Sequence, residues 1–285
     1  MHDDIHIVLD SIAAADETAL ADNPRCHVLR LVVRHGDKEW YDGEKSLAEM
    51  FAMVKESGAL PTTSQPPIGH MLELFGTLAK KGKKVLMFTV DSVLSGTYQT
   101  ACLAARQIMD EVKGADIRIV DSKTAACPIS GVAMDILEKT AAGMTMDEAE
   151  ALAKDEFSRT ETYFSVDTLE YLQKGGRIGA VGALVGSILG IRPIAHIKKD
   201  GNLEVVDKCR TRKKVLQRIV EIASENAPLE AVFVANAEAE ADAAAVRKAM
   251  EERFPGLPVL FTSIGTVLAA HLGPGVIGLF VRRRA

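Results

Sequence analysis

A proline-flanked cluster of hydroxyl and amide side chains, PTTSQPP, occupies residues 61–67. The prolines hold the backbone in extended or turn geometry ahead of a predicted helix that begins at Pro67. Ser64 or Thr63 could simply cap that helix, because a hydroxyl oxygen accepts a hydrogen bond from a free backbone N–H. The same hydroxyl and N–H groups could instead bind an oxygen atom of a ligand, so both roles stay open.

A second candidate, DSVLSGTYQ, covers residues 91–99 and follows the apolar run 84–90. A strand, a Ser95-Gly96 turn and a long helical pattern place free N–H groups at the carboxyl edge of a sheet. The positive end of the helix dipole lies at the same place, which favours an anion. Capping explains one serine, but it explains less well a glycine that lets the backbone approach another group closely.

A third segment, LQKGGR at residues 172–177, precedes the uncharged apolar run 178–191. The glycine spacing that starts at Gly176 does not match a dinucleotide-binding loop, and no strand leads directly into it. Gly182 and Gly186, four residues apart, better fit close helix packing or an apolar wall for a slender acyl chain.

The fourth segment, AHLGPG at residues 270–275, contains a histidine before a rigid Gly-Pro-Gly turn. His271 could complement the dipole at the end of a helix, or the turn could direct its imidazole at a ligand. The other histidines, His196 among them, lack such a context and are expected to be surface or satisfied strand positions.

The elements that must position these segments alternate along the chain. Predicted strands are the apolar, β-branched runs 5–9, 27–33, 84–90, 116–121, 162–167, 191–197, 203–207, 229–235, 257–262 and 276–281. Predicted helices cover residues 46–57, 67–81, 97–113, 129–142, 146–160, 212–226 and 240–254.

This alternation predicts an α/β fold with helices on the faces of its sheets. We expect two domains, residues 1–160 and 161–285, with the boundary near residues 159–162. The first should hold a largely parallel sheet. The second should hold a mixed sheet, because Asp200-Gly201 suits a tight hairpin turn between two strands.

Composition excludes several classes of function. A chain of 285 residues with 47% hydrophobic content can bury two cores, and a formal charge of -5 argues against a general nucleic-acid binder. The four cysteines show no zinc or disulfide spacing. The apolar run 178–191 is shorter than the roughly 18 residues that a membrane span needs. With an N-terminus unlike a signal peptide, we expect a cytoplasmic protein without an integral membrane segment.

Taken in order, these segments resemble the DegV family. The resemblance spans residues 9–278 and has two departures, Asp91-Ser92 where a serine pair is commoner and CPISG (127–131) where the family is glycine-richer. The shared motifs are Asp10-Ser11, TSQP (63–66), LSGTYQTA (94–101), VDSK (120–123), TLEYLQKGGRIG (168–179), LGIRPI with a following DG (189–201), CRTRKK (209–214) and HLGPGVIG (271–278).

The resemblance implies a protein of phospholipid metabolism that binds one long-chain fatty acid and needs no cofactor. It implies that the carboxylate lies between the domains, bound by Thr63, Ser95, the backbone at Gly96, and His271. It also implies that the acyl tail enters the N-terminal domain and that the acyl chain is supplied to a fatty-acid kinase.

Phosphoryl transfer is expected of that partner kinase, because the sequence contains no G-x-x-x-x-G-K-[ST] phosphate-binding loop. Arg177 is then a candidate for docking the kinase, since an arginine in an exposed turn can pair with acidic groups. It could equally brace the Gly175-Gly176 turn by donating to nearby carbonyl groups.

Two other functions stay open. A stand-alone serine hydrolase would use Ser95 and His271, because a serine at a strand–helix turn resembles a nucleophile elbow. The sequence around Ser95 lacks the G-x-S-x-G pattern, and no third acid is identifiable. The other alternative is a small-molecule sensor on the same fold. Aryl-ester turnover that is lost in Ser95→Ala would favour the hydrolase.

Overall fold

The computed structural model describes residues 3–14, 16, 18–179, 182 and 190–285. Two compact units are formed, one from Met1–Val32 with Ser64–Ser158 and the other from Val33–Thr63 with Arg159–Ala285. The last junction lies next to the predicted boundary. Residues 33–63, which the predicted boundary places in the first domain, group with the second unit. Their strands pair with one another in a separate small sheet.

The described residues contain the following regular elements. The strands are β1 (Ile5–Asp10), β2 (Cys26–Leu29), β3 (Val32–His35), β4 (Lys38–Tyr41), β5 (Thr62–Ser64), β6 (Lys84–Thr89), β7 (Ile117–Asp121), β8 (Thr160–Ser165), β9 (Arg192–Ile197), β10 (Leu203–Cys209), β11 (Leu229–Asn236), β12 (Val259–Ser263) and β13 (Ile277–Arg283). The helices are α1 (Leu47–Ser57), α2 (Ile68–Lys80), α3 (Thr97–Glu111), α4 (Cys127–Ala141), α5 (Met146–Ser158), α6 (Glu170–Lys174), α7 (Arg212–Ser224), α8 (Glu240–Arg253) and α9 (Thr266–Leu272).

The first unit is built on a parallel four-stranded sheet in the order β2-β1-β6-β7. One face packs against α4 and α5, with Ile7 and Ile136 in that core. The other face packs against α2 and α3, with Val8 and Phe75 in that core. A parallel sheet covered on both faces needs apolar side chains in both directions, which explains the uniformly apolar strand sequences. The predicted parallel sheet is confirmed.

The second unit contains a mixed six-stranded sheet in the order β10-β9-β8-β13-β11-β12. Of its pairs, β11 and β12 run parallel and the others antiparallel. The predicted hairpin joins β9 to β10, and Gly201 adopts a φ of 80° that suits glycine in a tight turn. Helices α7 and α8 cover apolar side chains of this sheet, among them Val234 and Leu279. The predicted mixed sheet is confirmed.

One predicted strand, residues 27–33, is divided. Strand β2 ends at Leu29 and joins the parallel sheet, whereas β3 begins at Val32 and joins the small sheet β4-β3-β5. Between them the backbone N–H of Leu31 donates to Ser11 Oγ at 3.2 Å. The continuous apolar run could not reveal this break, because both halves are equally β-prone.

Most of the apolar run 178–191 lies outside the described residues. The close packing predicted at Gly186 falls in this part of the chain. Within the described part of the chain, no helix is long and apolar enough to cross a membrane. The same residues contain no group of three metal-ligating side chains. None of the four cysteines forms a disulfide bond within the described residues.

Candidate functional site

Two predicted site residues of the second unit meet although 208 positions separate them. Thr63 lies in β5, at the end of the segment 33–63, and His271 lies in the last turn of α9. The Oγ1 atom of Thr63 is 2.7 Å from Nε2 of His271. The TSQP and HLGPG motifs therefore form one hydrogen-bonded pair.

The imidazole of His271 rests on the glycine turn that follows α6. A Cβ atom at Gly175 would lie only 2.5 Å from its Nδ1 atom. The reverse contact also exists, since a Cβ at Gly273 would lie 2.7 Å from the ring of Tyr171. Gly175 therefore leaves room for the ring of His271, and Gly273 leaves room for the ring of Tyr171. Sequence reasoning missed this role of Gly175, for which the paired glycines were the available signal.

His271 is held in its neutral form. Burial and the nearby positive charge of Arg177 lower its pKa from 6.5 to about 4. Its Nδ1 atom is buried and has no hydrogen-bond partner within the described residues. A buried N–H without an acceptor is costly, so the favoured tautomer carries its proton on Nε2 and donates it to Thr63 Oγ1. The hydroxyl proton of Thr63 is then available to an acceptor from outside the pair.

The helix that carries His271 is fixed at its start by a buried carboxylate. Asp42, only 2% exposed, accepts hydrogen bonds from Thr266 Oγ1 at 2.9 Å and from the backbone N–H of Val267 at 3.2 Å. A Cβ at Gly265 would lie 2.6 Å from the same carboxylate. No motif in the sequence around Asp42 indicated this contact.

In the first unit, Ser95 and Gly96 lie in the turn between β6 and α3, as the sequence predicts. Ser95 Oγ is 2.9 Å from Thr97 Oγ1, and its backbone N–H donates to Asp91 O at 3.2 Å. Gly96 is the residue before α3 and has an ordinary φ of -73°. The backbone N–H of Thr97, the first residue of the 15-residue helix α3, donates to Ser95 Oγ at 3.4 Å. The Ser95 hydroxyl therefore lies at the N-terminus of this helix, where free N–H groups favour an anion.

The close approach expected at Gly96 exists, and the approaching group is a side chain of the same unit. A Cβ at Gly96 would overlap Gln65 Oε1, so any larger residue there would displace the Gln65 amide. The amide nitrogen of Gln65 in turn donates to Thr100 Oγ1 at 2.5 Å. Gln65 of the TSQP motif therefore ties its segment to the start of α3.

Nearly the whole chain matches one family of known proteins. A family model described as an uncharacterised protein of the DegV family matches residues 4–284. The chain belongs to the DegV family. It is 33% identical to a DegV domain-containing protein of Streptomyces coelicolor, over 98% of this chain and 99% of that protein. It is 31% identical to protein DegV of Bacillus subtilis, over 96% of this chain and 98% of that protein.

Solved structures of DegV proteins share the fold. A Thermus thermophilus DegV family protein, described by its fatty acid binding, is 28% identical with a TM-score of 0.86, covering 98% of this chain and 99% of that one. A fatty acid binding DegV family protein of Streptococcus agalactiae is 25% identical with a TM-score of 0.88, covering 99% and 100% of the two chains. The family resemblance seen in the sequence motifs is thereby confirmed.

In this DegV protein, Arg177 makes the bracing contact that was one of its two predicted roles. Its Nη1 atom donates to the carbonyl oxygen of Gly175 at 2.7 Å, across the turn on which His271 rests. The same guanidinium contributes to lowering the pKa of His271. Docking of a partner at Arg177 stays a prediction.

Proposed function

We propose that this protein binds one long-chain fatty acid and presents its carboxyl group to a partner fatty-acid kinase. The observation that carries the proposal is the Thr63–His271 pair, whose neutral imidazole leaves the threonine hydroxyl free to donate. Solved DegV proteins that match nearly the whole chain are described as fatty acid binding, which supports this choice of ligand.

A bound carboxylate needs hydrogen-bond donors around it and no second carboxylate to repel it. We assign its binding to the hydroxyls of Thr63 and Ser95, the backbone N–H at Gly96, and His271 acting through Thr63. An unpaired carboxylate in apolar surroundings costs several kcal/mol, so these donors decide whether the acid can be held. His271 pairs with a hydroxyl and with no carboxylate among the described residues. A hydrolase triad would require that acid, which favours binding over hydrolysis.

The acyl tail is proposed to lie in the apolar interior of the first unit. The two buried clusters on the faces of its parallel sheet supply the apolar side chains. Burying a sixteen-carbon chain contributes on the order of 12 kcal/mol at about 0.8 kcal/mol per CH₂. Association costs roughly 4–15 kcal/mol in lost translational and rotational freedom, a range that includes the whole gain from the tail, so the carboxylate contacts are expected to matter for affinity.

Native mass spectrometry of protein purified from a bacterial host tests the proposal directly. One fatty acid per chain is the expected result, either co-purified or after addition of palmitate. Spectra that show only the ligand-free chain from several hosts and with added palmitate would reject fatty-acid binding.

Substitution of the donors tests the assigned residues. Thr63→Ala and Ser95→Ala should each weaken palmitate binding by about 1–3 kcal/mol, the cost of leaving a buried polar group without its partner. Thr62→Ala is the matched control, since Thr62 is the exposed neighbour of Thr63 in β5. Unchanged affinity in both site variants would refute the carboxylate assignment.

Presentation to a kinase is tested by acyl-phosphate formation with a bacterial fatty-acid kinase and ATP. If the surface at Arg177 docks the kinase, Arg177→Ala should bind palmitate normally and form acyl phosphate slowly. Lys174→Ala removes an exposed neighbouring charge, paired with Glu170 at 2.7 Å, and should keep normal turnover. Lower folding stability with unaltered turnover per folded molecule would establish bracing as the whole role of Arg177.

A further inference from the structure

A lysine from the neighbouring strand end holds the turn that carries Ser95. Lys123 follows β7, and its Nζ atom lies 2.7 Å from Asp121 Oδ2 and donates to Ser92 Oγ at 3.1 Å. The backbone N–H of Ser92 donates to the other oxygen of Asp121 at 3.2 Å. Ser92 is therefore fixed at both its backbone and its side chain by groups of β7 and the residues after it.

The contacts continue from Ser92 to Ser95. The carbonyl oxygen of Asp91 accepts hydrogen bonds from the backbone N–H groups of Leu94 at 3.0 Å and Ser95 at 3.2 Å. The Asp91 carboxylate, fully buried, accepts the N–H of Val93 at 2.9 Å and lies 4.0 Å from the Lys123 ammonium. A shift of the turn at Asp91 and Ser92 would therefore move the Ser95 hydroxyl.

Lys123 adopts a backbone conformation that a lysine rarely occupies. Its φ is 54°, in the left-handed region that favours glycine. Its side chain is 40% exposed, so the ion pair with Asp121 contributes little to global stability. Lys123 thus keeps an unfavourable backbone conformation although its ion pair adds little to the stability of the fold. This combination indicates that the contacts of Lys123 serve to hold the neighbouring turn.

We infer that Lys123 is a positioning residue, which holds the 91–95 turn through Ser92 so that the Ser95 hydroxyl is aimed at the ligand's carboxylate. The inference rests on the proposed function and deepens it by adding a residue outside the assigned carboxylate contacts. Lys123 touches the turn and not the ligand, so its loss should affect the recognition of the carboxyl group and leave the binding of the acyl tail unchanged.

Two probes that differ only in the head group separate these effects. Delipidated full-length protein is titrated with hexadecanoic acid and with hexadecan-1-ol, and the ratio of the two dissociation constants measures recognition of the carboxylate. Lys123→Met should lower the wild-type preference for the acid by on the order of tenfold, the usual effect of disturbing a hydrogen bond to a charged group. Affinity for the alcohol should stay within about twofold, since the tail contacts are unaltered.

Lys123→Gly is a second variant that removes the ammonium group without straining the backbone, because glycine adopts the left-handed conformation freely. It should reduce the preference for the acid as Lys123→Met does. An effect that both variants share is therefore not caused by a folding defect. Lys113→Met is the matched control, an exposed lysine in the turn after α3, and should keep the wild-type ratio. Ser92→Ala should also lower the ratio, and adding it to Lys123→Met should lower it little further.

The outcomes distinguish the two proposals. A wild-type protein that binds neither probe, or binds both equally, overturns fatty-acid recognition and with it the role of Lys123. A wild type that prefers the acid while both Lys123 variants keep that preference overturns the positioning role alone. Equal weakening of acid and alcohol in the variants also overturns it, because a general structural effect would act on both probes.

Discussion

Two half-buried histidines of the second unit have pKa values that are shifted in opposite directions. His196 in β9 lies between carboxylates of the two adjacent strands, with Nε2 2.8 Å from Glu161 in β8 and Nδ1 3.0 Å from Glu204 in β10. Burial lowers its pKa, but the hydrogen bonds to the two carboxylates outweigh burial, so the pKa is raised above 6.5. His271 has a hydroxyl and a glycine as neighbours, and its pKa is lowered to about 4.

The difference shows which of the two regions is suited to an anion. Around His196 the ionisable groups already have partners, since Lys199 also lies 3.3 Å from Glu161. The ring of Tyr163 stacks on the imidazole at 4.8 Å. This agrees with the expectation that His196 is a satisfied strand position. Around His271, the hydroxyl of Thr63 and the positive charge of Arg177 are present without a described carboxylate partner for the imidazole. An incoming carboxylate would complete that region, whereas it would compete with existing acids at His196.

The largest effect is expected from filling the space beneath His271. A Cβ in Gly175→Ala would lie 2.5 Å from His271 Nδ1 and 2.9 Å from the carbonyl oxygen of Tyr171, so the imidazole and the turn must shift. The free energy of unfolding should fall by about 1–3 kcal/mol, the usual cost of overpacking. Palmitate affinity should fall as well, because the Thr63–His271 hydrogen bond is displaced. Chemical denaturation and ligand titration measure the two effects.

Gly69→Ala is the control for Gly175→Ala. Gly69 lies in α2 with open space where a methyl group would extend and no left-handed φ, so alanine should raise stability by about 0.5–1 kcal/mol. Equal stability and affinity in Gly175→Ala and the wild type would show that the position of His271 does not depend on Gly175.

Protonation of the two histidines should make the free energy of unfolding depend on pH in opposite directions. For His271 the pKa is lowered, so its contribution is fully present above pH 6.5 and is lost as the pH falls toward 4. For His196 the pKa is raised, so its contribution is fully present below pH 6.5 and is lost as the pH rises through the raised value. Each effect changes the free energy of unfolding by up to about 1.4 kcal/mol per pH unit within its window.

Urea denaturation of the wild type, His271→Gln and His196→Gln across this pH range measures both windows. His271→Gln should flatten the loss of stability on the acidic side, and His196→Gln should flatten the loss on the alkaline side. Each variant is the control for the other. If both variants flatten the same side of the profile, the contrast between the two histidines is wrong.

The smallest effect is expected at Arg177. Arg177→Ala should raise the pKa of His271, because one of the two causes that lower it is removed. Loss of the hydrogen bond to Gly175 O should cost about 0.5–1.5 kcal/mol of stability. An NMR titration of the imidazole measures the pKa. Arg177→Lys keeps the charge and should keep the lowered pKa, whereas an unchanged value in Arg177→Ala would exclude an influence of Arg177 on His271.

The α/β class, the two kinds of sheet and the place of the Ser95–Gly96 turn could all be predicted from the sequence. These features depend on hydrophobic periodicity, turn residues and strand–helix order, all of which lie within a few neighbouring positions. The helix after Gly96 begins at Thr97 as predicted, and the hairpin at Asp200-Gly201 joins antiparallel strands.

Which residues meet, and in which direction their pKa values are shifted, became visible only in the folded chain. The transfer of residues 33–63 to the second unit, the approach of Gln65 to Gly96 and the contact of His271 with Gly175 all join distant positions. The pKa values of histidines 196 and 271 are shifted in opposite directions because burial and neighbouring groups, contributed by separate strands and helices, set the free energy of protonation. Local sequence contains neither quantity, since both arise when the chain has folded.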